Sequence, residues 1–337
     1  MKRLFFSFIA MILSIWWAGI CAADMPPAQA SIVKVRAFIA ADARTAGSLG
    51  RQREGSGVVI DTDGHILTIG YLILEAEAIE VIRPDGQSIM ASYVGYDHAT
   101  GFGILKASQK QGLTPIIMGK SSQLKVGEPI LLVGHGGAGA IRPATLIARM
   151  EFAGYWEYLL DEALYVAPPH PAFAGVAMLN PDGRLLGIGS IYTQMVFPQY
   201  GTVACNMFVP IDLLKPILND LIHKGRAAKP PQPWLGLNAD ETHGRVFIQR
   251  VHSGGPAEMA GLMENDIILS VNQEKVTGLA DFYRKVWALG RAGVQVPLSV
   301  LQGNQIKKID VRSSDRYQYF RIRPTMKAPH TIIEKSI

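Results

Sequence analysis

Asp-Gly turns set between short apolar runs constrain this chain more than any other feature. Residues 58–60 and 66–68 flank Asp63-Gly64. Residues 79–83 and 88–94 flank Asp85-Gly86, and Leu179 and Arg184 flank Asp182-Gly183. This pattern predicts hairpins, because an Asp-Gly pair supplies the positive φ that a tight connection between strands requires. Residues 31–39, 103–107, 129–133, 165–167, 185–190 and 202–208 read as further strands, with a polar loop over 40–54. Many short strands with Gly turns predict a sandwich or a pair of small barrels. No βαβ rhythm is present. No Gly-rich turn leads from a strand into a helix, which excludes a dinucleotide-binding fingerprint.

Apolar side chains at Ile211, Leu214, Ile217, Leu218, Leu221 and Ile222 recur at helical spacing and predict a helix over 211–224, ended by Gly225. The segment Arg226-Ala-Ala-Lys-Pro-Pro-Gln-Pro233 has no apolar periodicity and reads as a stiff linker. A length of 337 residues accommodates a domain on each side of it. The net charge of +5 comes without a dense Lys/Arg run, so a nucleic-acid groove is not expected.

Lys2 and Arg3 precede an apolar run from Leu4 to Ile20, and Cys21, Ala22 and Ala23 follow. This order describes an export signal over residues 1–23, with release to the periplasm or outside. The run is barely long enough to span a bilayer, which leaves an uncleaved N-terminal anchor open. A lipid anchor on Cys21 is disfavoured because Ile20 stands where a small residue is wanted. Loss of Lys2 and Arg3 leaves a charge of about +3 and no membrane span. It also leaves Cys205 alone, without an intrachain disulfide partner.

Gly55-Ser-Gly-Val-Val-Ile-Asp-Thr-Asp-Gly-His-Ile-Leu-Thr68 resembles a signature stretch of the HtrA family of secreted serine proteases. Asp97-His-Ala-Thr-Gly-Phe-Gly-Ile-Leu-Lys106 and Pro171-Ala-Phe-Ala-Gly-Val-Ala-Met-Leu-Asn180 are similar to two further family segments. The resemblance implies a mainly β, trypsin-like double β-barrel over 30–210, followed by a connecting helix and linker over 211–233. It also implies where the triad would stand. The general base falls on Tyr71, its orienting aspartate on Gly101, and the nucleophile on Ala174. A serine without a base, or a base without a serine, has no ordinary route to acyl transfer, and here all three are replaced. Ala172 and Phe173 also replace residues of the loop whose backbone N–H groups form the family's oxyanion hole. Ser56, Thr68 and Ser190 lie in matched segments, but no histidine is placed beside them by sequence pattern. From this the chain is expected not to be an enzyme but a pseudoprotease acting as a scaffold, chaperone or regulator, with a serine endopeptidase of degenerate or relocated centre as the alternative.

Trp234-Leu-Gly-Leu237, Ser253-Gly-Gly-Pro-Ala-Glu-Met-Ala-Gly-Leu262 and Asp266-Ile-Ile-Leu-Ser-Val-Asn-Gln273 resemble a PDZ domain over 234–312. The resemblance implies that Leu235, Gly236 and Leu237 receive a peptide carboxylate on backbone N–H groups. A helix over 281–289 places Phe282 and Val286 either in the pocket for the last side chain or in the core. Gly236→Asp is expected to cost binding through its charge, with backbone strain at a positive φ as the alternative that Gly236→Ala separates. Residues 313–337 form an extension. Alternation at Tyr317 and Tyr319 suggests one more strand or a docked segment, with disorder after Arg323.

The expected partners are peptide or protein C-termini, with self-association or assembly with active HtrA-type subunits open. No cofactor is called for. His98 and His170 flank the triad segments and His135 stands in the Gly-rich loop Gly134-His-Gly-Gly137; they are weak candidates for a metal site in an accessory protein, since no His-x-x-x-His or Cys pair accompanies them.

Overall fold

The computed structural model describes residues 28–198 and 201–322. The export segment, Cys21 and the tail beyond 322 lie outside the described residues. Among the described residues, no helix is long and apolar enough to cross a membrane.

Six strands form a closed barrel: β1 (Ile32–Ile39), β2 (Gln52–Val59), β3 (His65–Ile69), β4 (Ala76–Ile82), β5 (Ser88–Tyr96) and β6 (Phe102–Ala107), in the order β1-β2-β3-β6-β5-β4. In β1, Val33, Val35, Ala37 and Ile39 are buried and alternate with half-exposed Lys34, Arg36 and Phe38, the period of two that a one-sided sheet requires. Each fully buried Val, Leu or Ile in such a core contributes about 1.5–3 kcal/mol. The predicted hairpins form: Val58 faces Leu67 across the first turn, and Ile82 faces Ser88 across the second.

A second six-stranded sheet comprises β7 (Pro129–Val133), β8 (Ile141–Gly154), β9 (Tyr158–Ala167), β10 (Ala177–Leu179), β11 (Leu185–Phe197) and β12 (Gly201–Pro210). It runs β10-β11-β12-β9-β8-β7, and β7 pairs β10 as well as β8. Together the two sheets make a mainly β, trypsin-like fold. Strands β8 and β9 form a long hairpin that the sequence reading caught only at residues 165–167. Cys205 is buried in this sheet as a free thiol.

The C-terminal region has the sheet order β13-β14-β15-β17-β18, from β13 (Leu237–Thr242), β14 (Arg245–Val251), β15 (Ile267–Val271), β17 (Gln295–Gln302) and β18 (Gln305–Arg312), with β16 (Glu274–Lys275) beside β15. The helix Leu279–Ala288 covers it and buries Leu279, Phe282, Tyr283 and Val286. This arrangement is consistent with a PDZ domain.

Two local expectations need correction. The helix over 211–224 is a 3-10 turn at Ile211–Leu213, with an α-helix only at Leu218–Lys224. Its apolar residues Ile211, Leu214 and Ile217 are all buried, so the periodicity reflects packing without a continuous helix. The segment holding Tyr317 and Tyr319 is a short helix, Arg316–Tyr319, not a strand. It does dock, because Tyr317 packs on His98 and Tyr319 packs on Trp234.

Candidate functional site

Tyr71 sits on the 3-10 turn Gly70–Leu72 that follows β3. Its hydroxyl donates to the Ser190 carbonyl at 2.7 Å. Burial pushes its phenol far above the ordinary range, so it holds its proton and cannot serve as a base. Gly101 has φ +80°, and its carbonyl accepts from Gly70 N–H at 2.7 Å. Nearby, Asp97 accepts from the Thr100 N–H and hydroxyl at 2.8 and 2.7 Å, so its carboxylate is committed to a local turn. Tyr71, Gly101, Phe173 and Ser190 line a cavity of about 920 Å³ that continues to Arg44 and Arg250.

Ala174 presents a methyl group, and its carbonyl accepts from Ser56 N–H at 2.8 Å. The next residue, Gly175, has φ +76°, and a Cβ there would lie 1.9 Å from the Ser56 carbonyl. The loop is thus pressed onto β2 and admits only glycine at 175. The Ala172 N–H donates to His170 Nδ1 at 3.2 Å, while His170 Nε2 donates to the Ala140 carbonyl at 3.1 Å. A donor at the expected oxyanion loop is therefore already taken, and both nitrogens of His170 are occupied.

The same packing makes a pair that the sequence pattern did not reveal. Ser56 Oγ lies 3.1 Å from His135 Nδ1 and accepts the His135 backbone N–H at 3.1 Å. Burial, with the nearby Lys34 charge, holds His135 below its ordinary pKa, so the ring is neutral, and in the tautomer protonated at Nε2 its Nδ1 accepts from the serine hydroxyl. Ser56 itself is fully buried. The pair joins β2 to the loop after β7, and a separation of 79 residues left no local signal for it.

His98 lies elsewhere, packed edge-on to Tyr96 and against Tyr317, with both ring nitrogens buried and unpartnered. The three candidate histidines therefore do not converge. No group of three or more His, Cys, Asp or Glu suited to a metal ion occurs among the described residues.

In the C-terminal region, Leu235, Gly236 and Leu237 do present their N–H groups to one carboxylate. It belongs to Glu157, at 2.8 Å from Leu235 N and Gly236 N and 3.2 Å from Leu237 N. Burial pushes the Glu157 carboxyl up to about 7, while the Leu235 N–H, the Arg316 charge and the other two N–H groups pull it down. Phe282 and Val286 are packed in the domain core, at 0 % and 1 % exposure, rather than on an open pocket wall. Glu157 was missed in the sequence. The available signal was a lone carboxylate in Gly154-Tyr-Trp-Glu-Tyr158, a turn between two aromatic strands.

Comparison with known proteins places these features. Residues 55–188 match the trypsin-like peptidase domain family, and residues 233–312 match the PDZ domain family. The chain is 28 % identical over 262 residues to the "Probable periplasmic serine endoprotease DegP-like" of Rhizobium meliloti, covering 73 % of this chain and 50 % of that protein. It is 27 % identical over 280 residues to the serine protease PepD of Mycobacterium tuberculosis, covering 77 % and 60 %. The chain spans about half the length of the curated relatives it matches. Among solved structures, a serine endoprotease from Yersinia pestis matches at TM-score 0.50 and 24 % identity over 85 % of this chain and 97 % of that one. The HtrA-type protease AlgW with a decapeptide matches at 0.50 and 20 %, over 86 % and 96 %. At these identities the structural likeness shows the fold.

The expectation that the chain is not an enzyme, and its label as a pseudoprotease, are overturned by this homology. The relatives are serine endoproteases, and their consistent match argues for catalytic activity. Tyr71, Gly101 and Ala174 themselves supply no base, orienter or nucleophile.

Proposed function

We propose that this chain, a homologue of the HtrA/DegP serine proteases with a trypsin-like peptidase domain and a PDZ domain, captures peptide C-termini and brings them to a double-barrelled peptidase body. The proposed boundaries are 30–210 for the peptidase body, 211–233 for the connection and 234–312 for the PDZ domain. Its location is periplasmic or secreted, in keeping with homology to periplasmic DegP-like proteins. The observation that carries the reading is the convergence of the Leu235, Gly236 and Leu237 N–H groups on a single carboxylate. Three parallel donors held in a Gly loop are a built anion receptor, and the adjacent β13 is an edge strand that can accept an added strand.

The test is titration of the full-length protein with a peptide bearing a free apolar C-terminus and with its amidated twin. The free form is expected to bind at about 10–100 µM or more weakly, equivalent to roughly 5–7 kcal/mol, and the amide not measurably. Equal binding of the two would overturn carboxylate capture.

A second reading, an endopeptidase with a relocated centre, is favoured by the homology and by the Ser56–His135 pair. Ser56 is a serine with a neutral histidine nitrogen at hydrogen-bond distance, but its hydroxyl has to be uncovered before a peptide carbonyl can reach it. On this reading the purified chain cleaves an unfolded protein substrate, and Ser56→Ala, which removes the nucleophile, lowers the rate by several orders of magnitude. Cleavage that persists in Ser56→Ala would assign the chemistry elsewhere, and no cleavage by the wild type would sink the endopeptidase reading.

A further inference from the structure

The carboxylate receptor of the PDZ domain is filled by the chain itself. Glu157 closes the three-residue connection 155–157 between β8 and β9, and both carboxylate oxygens engage the loop. Two residues earlier, the Tyr155 carbonyl accepts from Ala239 N–H at 2.8 Å on the open edge of β13. A terminal carboxylate in a Gly loop, with a carbonyl two residues back on the neighbouring strand, is the pattern of an added β-strand. We propose that the hairpin tip 155–157 is the resident ligand of the peptide groove, with the Glu157 side chain in the place of a C-terminal carboxylate, and that a peptide C-terminus binds by displacing it. This rests on the reading of the groove as a receptor for C-termini.

Backbone conformation supports the proposal independently. Glu157 has φ +55°, and the last residue of a three-residue hairpin connection is where glycine or asparagine is favoured. A side chain kept there despite the strain has a use beyond making the turn. Other contacts hold the hairpin in place. The Tyr283 hydroxyl donates to the Gly154 carbonyl at 2.8 Å and accepts the Glu157 N–H at 3.2 Å. Arg284 pairs with Asp161 at 2.7 Å and also with Glu151. Ala153 and Leu159 pack on the PDZ core.

Displacement would also be felt in the cleft. Tyr155, Trp156 and Tyr158 line the same cavity as Tyr71 and Gly101. The Tyr158 hydroxyl donates to the Thr100 carbonyl at 2.7 Å, next to Gly101. Occupancy of the PDZ groove by an outside peptide therefore frees a wall of the peptidase cleft.

The decisive variant is Glu157→Gly, which removes the carboxylate and relieves the positive φ, so the turn itself is favoured. Glu157→Gln, which keeps the shape and removes the charge, guards against misfolding in the first variant. In full-length protein, hydrogen exchange at the amides of Leu235, Gly236 and Leu237 is expected to be slow in the wild type and at least tenfold faster in Glu157→Gly. Affinity for a free-carboxylate peptide is expected to rise at least tenfold in the same variant, with a smaller rise in Glu157→Gln. Unchanged exchange in both variants would overturn the proposal. Faster exchange without peptide binding by either variant would keep the self-docking and overturn the reading of the groove as a C-terminus receptor. Faster exchange with unchanged peptide affinity would overturn displacement.

Discussion

Arg53→Ala should destabilise the peptidase domain by about 3–5 kcal/mol, a large part of the 5–15 kcal/mol typical of a whole domain. Arg53 is 5 % exposed. Its guanidinium donates to the carbonyls of Gly50, Tyr71, Leu74 and Thr45, at 3.1, 2.7, 3.0 and 3.2 Å, and to the Thr45 hydroxyl at 2.8 Å. The Thr45 hydroxyl and N–H in turn donate to Glu75, itself buried. Removing the cation leaves the carbonyls of Leu74 and Thr45, which are buried, and of Gly50 and Tyr71, which are partly buried, without this donor, and takes a nearby counter-charge from the buried Glu75. Burial pushes the Arg53 pKa down to about 10 while Glu75 pulls it up, which is the signature of a charge kept inside by one counter-charge. Urea unfolding of the full-length protein measures the loss. Arg53→Lys should recover only part of it, because an ammonium lacks the planar fork that reaches several carbonyls at once. A midpoint unchanged in Arg53→Ala would show that the network is not cooperative. The contact bears on function, since the Tyr71 and Leu74 carbonyls belong to the turn that forms one wall of the cleft.

This network and the Glu157 dock share a form: a buried charge gathers several loop backbones around it. Glu75 also accepts the Arg321 N–H at 3.0 Å, which ties the post-PDZ segment to the first barrel. Arg316 reaches the Glu157 carbonyl at 3.4 Å, and Tyr317 donates toward Asp97 at 3.5 Å. The segment after the PDZ sheet thus touches the cleft turn, the hairpin tip and the position beside Gly101. An outside ligand that moves the hairpin acts on elements already tied to the cleft, so the cleft and the groove are best regarded as one coupled unit.

How much of this was legible in the sequence follows from range. Asp63-Gly64 and Asp85-Gly86 announce their hairpins because turn chemistry is local, and Gly64 and Gly86 take the positive φ their turns require. Leu235-Gly-Leu237 announces a donor loop for the same reason. The β8–β9 hairpin was only partly read. Its outer half packs Ala153 and Leu159 on another domain, so burial there does not follow the two-residue period of a sheet with one wet face. Ile211–Leu213 carries helical spacing without a helix because tertiary packing, not hydrogen bonding along one axis, buries those residues. Glu157 and the Ser56–His135 pair are contacts across 78–80 and 79 residues, and no window of local pattern contains both partners. Tyr317 and Tyr319 alternate like a strand, yet they anchor a short helix whose aromatic rings are claimed by His98 and Trp234.

Gly236→Ala should lower peptide affinity by about tenfold or more when the groove is empty, and Gly236→Asp by a further tenfold to hundredfold. Gly236 has φ +77°, where an L side chain costs about 1–2 kcal/mol. A Cβ there would meet Pro256 Cδ at 3.1 Å, Trp234 Cη2 at 3.2 Å and Gly255 Cα at 3.3 Å, and backbone on one side limits how far the neighbours can yield. Strain alone therefore weakens the donor loop. The aspartate adds repulsion against the incoming carboxylate, roughly 1–3 kcal/mol for unit charges about 5 Å apart at an effective dielectric of 20–80. The measurement belongs in the Glu157→Gly background. In a chain that keeps Glu157, the substitution weakens the resident carboxylate along with the visiting one, and the two losses offset each other in the apparent affinity. The same substitution should then look nearly silent with Glu157 present and costly without it. Equal losses in the two backgrounds would show that no resident carboxylate competes for the loop, and equal affinities for Ala and Asp would show that strain, not charge, sets the cost at 236.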